Sequence, residues 1–145
     1  MRVALDAALD AQKAGEVPIG ACIIDELGDL IATGYNRTIT DNDPTAHAEI
    51  VAIRSAASKI DNYRLSGATV YSTLEPCAMC AGALVTARVG RVVFGAHDIR
   101  FGAVDTHFGI GKGGELNHRI EYVAGVMAEE CLELLRSFFQ LRRKQ

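Results

Sequence analysis

A chain of 145 residues with 49% hydrophobic and 23% charged residues is large enough for one hydrophobic core and has the balance of an ordinary globular domain. No apolar run approaches the ~18 residues of a membrane span and the N-terminus shows no secretory leader pattern, so no membrane partner is expected and the cytoplasm is. The net charge of −3 gives no global basic field, yet the final ten residues carry Arg136, Arg142, Arg143 and Lys144 with no acid among them.

The chain alternates helical and strand-like patterns. Arg2 to Ala14 has apolar residues at helical spacing and ends at Gly15. Ile19 to Asp25 and Leu30 to Tyr35 predict a hairpin around Glu26-Leu27-Gly28-Asp29. After the polar stretch Asn36 to Pro44, Thr45 is placed to cap a helix running to about Ser58. Ala68 to Thr73 is β-rich, and Pro76 sits at the first turn of a helix from Cys77 to about Ala87. Arg91 to Gly95 predicts another strand. A glycine-rich segment from His97 to His118 has no periodicity, and a loop of that length in a compact domain has a functional reason or moves. Ile120 to Ala124 predicts a last strand, and Ala128 to Arg143 an amphipathic helix. The order implies one α/β domain over residues 1–145, with a partly parallel sheet covered by helices and a hairpin at one edge.

Two short segments carry chemistry: His47-Ala48-Glu49 and Pro76-Cys77-Ala78-Met79-Cys80. One histidine and a CxxC pair supply three ligands suited to a tetrahedral zinc ion and leave a fourth position open for water, whose pKa falls to about 7 there. The i, i+3 spacing puts Cys77 and Cys80 on one side of a helix start, where the helix dipole favours thiolates. Glu49, on the same turn as His47, reaches the open position without being a ligand. It is the candidate proton shuttle between water, a ring nitrogen and a leaving amine, which requires a carboxylate raised by burial. A redox CxxC and a closed structural zinc site compete with this reading, the latter with Cys22 or Cys131 as fourth ligand. Glu75 reads as an organiser of the loop before the zinc helix.

H-x-E followed by P-C-x-x-C is the signature of zinc nucleobase deaminases. With Glu16–Ala21, Asn36-Arg37, Asp43–Ile50, Asn62–Leu65, Thr73–Ala83, Val92–Ala96, Asn117–Arg119 and Phe138-Phe139, the chain resembles the bacterial tRNA adenosine deaminases over nearly its whole length. The resemblance implies a three-layer α/β/α cytidine deaminase-like fold with a mixed central sheet of about five strands. It also implies one Zn2+ per subunit, a homodimer, and conversion of adenosine to inosine in a tRNA anticodon stem-loop, at the wobble position. It further implies that Asn36 and the backbone N–H of Ala48 meet the target nucleotide. Asp98 and Asn117 would then lie near the bound loop, and Arg142 and Arg143, beside Phe138-Phe139, against the RNA backbone. Two alternatives share the zinc motif: a deaminase of a free base, nucleoside or nucleotide (guanine or cytidine type), and a non-catalytic zinc-stabilised RNA-binding subunit.

Overall fold

A computed structural model describes residues 1–145. Its elements run α1 (Arg2–Lys13), β1 (Gly20–Ile24), β2 (Leu30–Tyr35), α2 (Ala48–Ile60), β3 (Thr69–Leu74), α3 (Ala78–Thr86), β4 (Arg91–Ala96), β5 (Glu121–Ala124) and α4 (Ala128–Arg143). The five strands form one mixed sheet in the order β2-β1-β3-β4-β5. β1 pairs antiparallel with both β2 and β3, while β3–β4 and β4–β5 are parallel. The hairpin closes where the Asp25 carboxylate accepts the backbone N–H groups of Leu27 and Asp29, both at 2.9 Å.

Helices cover both faces, which explains why β1 and β4 read as nearly unbroken apolar runs. On one face α2 and α3 bury Ala48, Ala52, Ala56, Leu84 and Val85 against Ala21, Ile23, Val70 and Val92 of the sheet. On the other, α1 and α4 share a smaller cluster of Leu5, Ala96 and Cys131. The layers approach closely because small residues face each other. A Cβ on Gly34 of β2 would stand 2.6 Å from both the Ala48 carbonyl oxygen and the Ala52 nitrogen of α2. Gly34 therefore lets the start of α2 lie directly on the sheet, and that helix start carries part of the site.

Two helix starts differ from the sequence-based expectation. α2 begins at Ala48, with His47 in the extended N-cap position, instead of at Thr45. The Thr45 hydroxyl and N–H both turn to the Asp43 carboxylate, at 2.7 and 2.9 Å, so a local side-chain turn has taken the capping group. Likewise Cys77, not Pro76, stands at the extended N-cap of α3. The shifts leave His47 and Cys77 equivalent: each is the last extended residue before a helix, free to aim its side chain away from the helix axis.

Candidate active site

The two helix starts converge. His47 Nδ1 lies 3.5 Å from Cys77 Sγ and 3.6 Å from Cys80 Sγ, and the three ligand atoms all fall within 4.8 Å of one another. A tetrahedral zinc with bonds of ~2.0–2.1 Å to nitrogen and ~2.3 Å to sulfur requires nitrogen–sulfur edges of about 3.6 Å. The donor set and its spacing therefore fit zinc. Cys22, on β1, and Cys131, on α4, lie outside this cluster, so the fourth position belongs to no protein side chain. That removes the closed structural site considered from the sequence.

The cluster also holds charge in the pattern a cation needs. The Cys77 thiol is brought down to about 4, first by the hydrogen bond it accepts from Cys80, then by His47, against the opposing effect of burial. Cys80, as the donor in that pair and fully buried, is raised. His47 is raised chiefly by its hydrogen bond with Cys77. Two sulfurs thus face one ring nitrogen, a set that a divalent cation binds by displacing protons.

A cavity of about 410 Å³ opens beside the cluster, lined by His47, Ala48, Glu49 and Cys77 together with Asn36, Asp98 and others. Glu49 is only 4% exposed, and desolvation pushes its carboxyl up from the ordinary value. Thr38 and Glu75 add polar lining, and the apolar walls, Val17, Ile19, Leu74 and Phe101, come from three separate stretches of chain. A flat, largely apolar ligand with a few polar edges suits such a lining. The thioredoxin-like reading of the CxxC pair has no support in this arrangement, because the facing group is a histidine beside a buried glutamate.

Residues 1–96 match the family model of the cytidine and deoxycytidylate deaminase zinc-binding region. The whole chain is 48% identical to the tRNA-specific adenosine deaminase of Haemophilus influenzae, covering 84% of that protein. A solved structure from work on A-to-I editing by tRNA:A34 deaminases at the wobble position is 41% identical, with a TM-score of 0.89 over 93% of this chain and 97% of the other. A guanine deaminase from Nitrosomonas europaea is 28% identical, with a TM-score of 0.77 over 93% of this chain and 80% of that one. The chain belongs to the tRNA-specific adenosine deaminase family.

In this deaminase, the residues expected from the sequence separate into two groups. His47, Ala48, Glu49, Cys77, Asn36 and Asp98 share the cavity, joined by Cys80 behind it. Asn117, Arg142 and Arg143 lie outside it. Asn117 is tied to Arg88, which donates to its carbonyl at 3.2 Å and its side-chain oxygen at 3.0 Å. Arg142 donates to the Gly15 carbonyl at 2.9 Å and stacks over Phe138, anchoring α4 to the end of α1, while Arg143 is exposed. Of the aromatic pair, Phe138 is buried and Phe139 is half-exposed.

Two carboxylates matter more than the sequence indicated. Glu75, in the loop before the zinc helix, ties that loop to a segment distant in sequence. Its oxygens accept the backbone N–H groups of Asp98, Val104, Asp105 and Thr106, plus the Thr106 hydroxyl, so it shapes the segment after β4. Burial alone would raise its pKa, but the Thr106 hydroxyl and these N–H donors hold it below the usual carboxylate range. Glu16, wholly buried, does the same for the segment after β2 through Asn36, Ile39 and Thr40. An acid set among apolar residues (Gly15-Glu16-Val17-Pro18, Leu74-Glu75-Pro76) was the only sequence signal for either.

Proposed function

We propose that the chain deaminates adenosine to inosine in tRNA, at the wobble position of the anticodon loop, by hydrolysis. The carrying observation is the His47–Cys77–Cys80 triangle with its open side facing a cavity that also holds the buried Glu49. When bound, zinc supplies a water acidic enough to be deprotonated near neutral pH and polarised for attack. Glu49 takes that proton and delivers it to a ring nitrogen of the adenine, which makes the adjacent carbon electrophilic. The hydroxyl adds to that carbon, Glu49 moves the proton of the new hydroxyl group to the amine, and the C–N bond breaks, so water and adenosine yield inosine and ammonia. Its carboxyl suits this traffic because burial brings it toward the range where it both accepts and releases a proton.

The cavity admits one base, so the target must be unstacked before it enters, and an anticodon loop offers bases that are already splayed. Asn36 and the Ala48 backbone N–H supply polar edges for that base, with Asp98 at the rim. Phe139, half-exposed beside Asp98 and Phe101, serves the RNA next to the opening, and Arg142 secures the helix that carries it and the exposed Arg143, which serves the RNA backbone. Exposed apolar side chains share a surface hollow with Cys77: Phe101 (63%), Phe108 (63%) and Met79 (36%). A second copy of the chain covering them makes the homodimer part of the same proposal. The four unpaired cysteines, two of them the thiol ligands, suit the reducing cytoplasm. No helix is long and apolar enough to cross a membrane.

The test is direct. Zinc-loaded protein is given an anticodon stem-loop with adenosine at the wobble position, and separately free adenosine, cytidine and guanine. Inosine in the RNA without turnover of the small molecules supports the proposal. Turnover of guanine or cytidine instead replaces it with the free-base reading, and zinc binding without any turnover replaces it with the RNA-binding subunit.

A further inference from the structure

Glu16 follows α1, is 0% exposed, and neither belongs to the metal cluster nor lines the cavity. Four donors converge on it. The N–H groups of Ile39 and Thr40 and the Thr40 hydroxyl reach Oε1 at 2.9, 2.7 and 2.9 Å, and the Asn36 side-chain nitrogen reaches Oε2 at 3.4 Å. Both oxygens of Glu16 act as acceptors, so the end of the Asn36 amide that faces it is the NH2 group. The amide oxygen of Asn36 is thereby turned away from Glu16. No protein group donates to that oxygen, yet no buried polar side-chain atom of the chain lacks a partner. It is therefore accessible, and the accessible part of Asn36 is the part lining the cavity.

We propose that Glu16 is a positioning residue that fixes the polarity of Asn36, so that the cavity presents a carbonyl oxygen to a hydrogen-bond donor of the entering nucleotide. The proposal rests on the deaminase reading of this cavity. The two ends of an amide are nearly equal in size, so shape does not choose between its orientations. The partner chooses. A primary amide in place of Glu16 keeps its own oxygen toward the three donors of Ile39 and Thr40, which puts its NH2 against the NH2 of Asn36. Asn36 relieves that clash by turning over, and its NH2 then faces the cavity where the oxygen had been.

The consequence is a specific rescue pattern. Glu16→Gln alone reverses the polarity offered to the substrate. Asn36→Asp alone sets two carboxylates against each other. Together they restore the arrangement: the introduced glutamine donates to the introduced aspartate, whose second oxygen faces the cavity as an acceptor. Each single variant is expected to lower kcat/KM for the stem-loop at least about tenfold, and the double variant to regain most of that loss. Zinc content and thermal midpoint are measured for all four proteins, and wild-type turnover is measured alongside. If the two single losses multiply in the double variant, Glu16 acts only as a structural tie and the proposal is overturned. Should Glu16→Gln fail to fold, the comparison of Asn36→Asp with the double variant decides: a double variant no better than Asn36→Asp overturns it. Absence of wild-type turnover overturns the function itself, which keeps that failure separate from a failure of the role given to Glu16.

Discussion

Glu75 is where the shape of the cavity rim is most concentrated in one side chain. Four backbone N–H groups and one hydroxyl, spread from Asp98 to Thr106, end on its two oxygens, and the side chain is 2% exposed. Glu75→Gln keeps the volume but leaves one oxygen. That oxygen is held by the three N–H groups of Val104, Asp105 and Thr106, now as neutral bonds. The new NH2 faces the Asp98 N–H, and only the Thr106 hydroxyl turns around to accept from it. Bonds to a charged acceptor are worth ~1.5–3 kcal/mol against ~0.5–1.5 for neutral ones, and the relief of carboxylate desolvation offsets part of the loss. A net weakening of about 2–3 kcal/mol for closure of this segment follows, equivalent to roughly 30- to 150-fold faster opening.

Hydrogen exchange resolves this by residue. In the variant, the amides of Asp98, Val104, Asp105 and Thr106 lose protection by that factor while those in the centre of β3 and β4 do not. Because Asp98 and Phe101 line the cavity, KM for the RNA rises, while bound zinc stays at one per chain. The pH dependence has a definite sign. The folded-state pKa of Glu75 is depressed, so its contribution is fully present above the ordinary carboxylate value of ~4.3 and is lost as pH falls through the depressed value. Wild-type protection of this segment therefore weakens in acid, and the variant, already without the charge, does not show that step. Unchanged protection of these four amides at neutral pH refutes the assignment of Glu75 as the tie for the rim.

Glu49→Gln is expected to retain zinc and lose about a hundred- to ten-thousand-fold in kcat, measured by inosine formation with metal content by mass spectrometry; near-normal kcat removes Glu49 as the proton carrier. Gly34→Ala drives a methyl group against the Ala48 carbonyl and Ala52 nitrogen at 2.6 Å. It is expected to cost ~1–3 kcal/mol by overpacking and, because His47 precedes Ala48, to weaken zinc affinity as well; a variant with wild-type melting and zinc binding contradicts that coupling. Removing zinc with a chelator leaves Cys77 with a thiol near 4, whereas Cys131 is pushed up to about 11 and Cys22 is also raised by burial. Alkylation of the metal-free protein at neutral pH is expected to mark Cys77 well before Cys22 and Cys131, as read by peptide mass spectrometry, and zinc is expected to suppress it.

What was legible in the sequence is what local chemistry encodes. HAE and PCAMC announce their ligands because each motif is contiguous and its residue types have few other reasons to occur together. Strands and helices were legible through period, and the hairpin through Gly28 and Asp29. The pairing of Glu16 with Ile39 and Thr40, or of Glu75 with Val104 to Thr106, spans some 23 to 31 residues and leaves no period at all. For the same reason the segment from His97 to His118 showed no periodicity, although a buried carboxylate organises its first part, Asp98 to Thr106. Thr45 misled as a cap because Asp43 competes for its hydroxyl over a shorter distance along the chain. The lengths of β3 and β5 were read to within one residue, but the fact that Asn117 faces Arg88 and not the cavity required the fold.

The three buried carboxylates around the cavity carry the same functional group and divide its uses by the donors they receive. Glu16 and Glu75 receive four and five protein donors, drawn from segments that border the cavity, and each is thereby committed to holding a backbone shape. Glu49 receives no such set. Beyond its own backbone N–H and the Cys80 thiol, its oxygens have only the cavity to face, and burial raises it where donors lower Glu75. A carboxylate wrapped in fixed donors has no reason to take a proton, and one left short of donors has every reason to exchange one with whatever enters. That contrast supports the proposed role of Glu49 in the proton traffic on physical grounds, independently of its place in a motif. It also predicts which exchange of roles is forbidden: supplying Glu49 with a new fixed donor should lower its pKa and with it the rate, with zinc content unchanged. A rate that holds while a titration shows Glu49 lowered would separate proton affinity from catalysis and remove the argument.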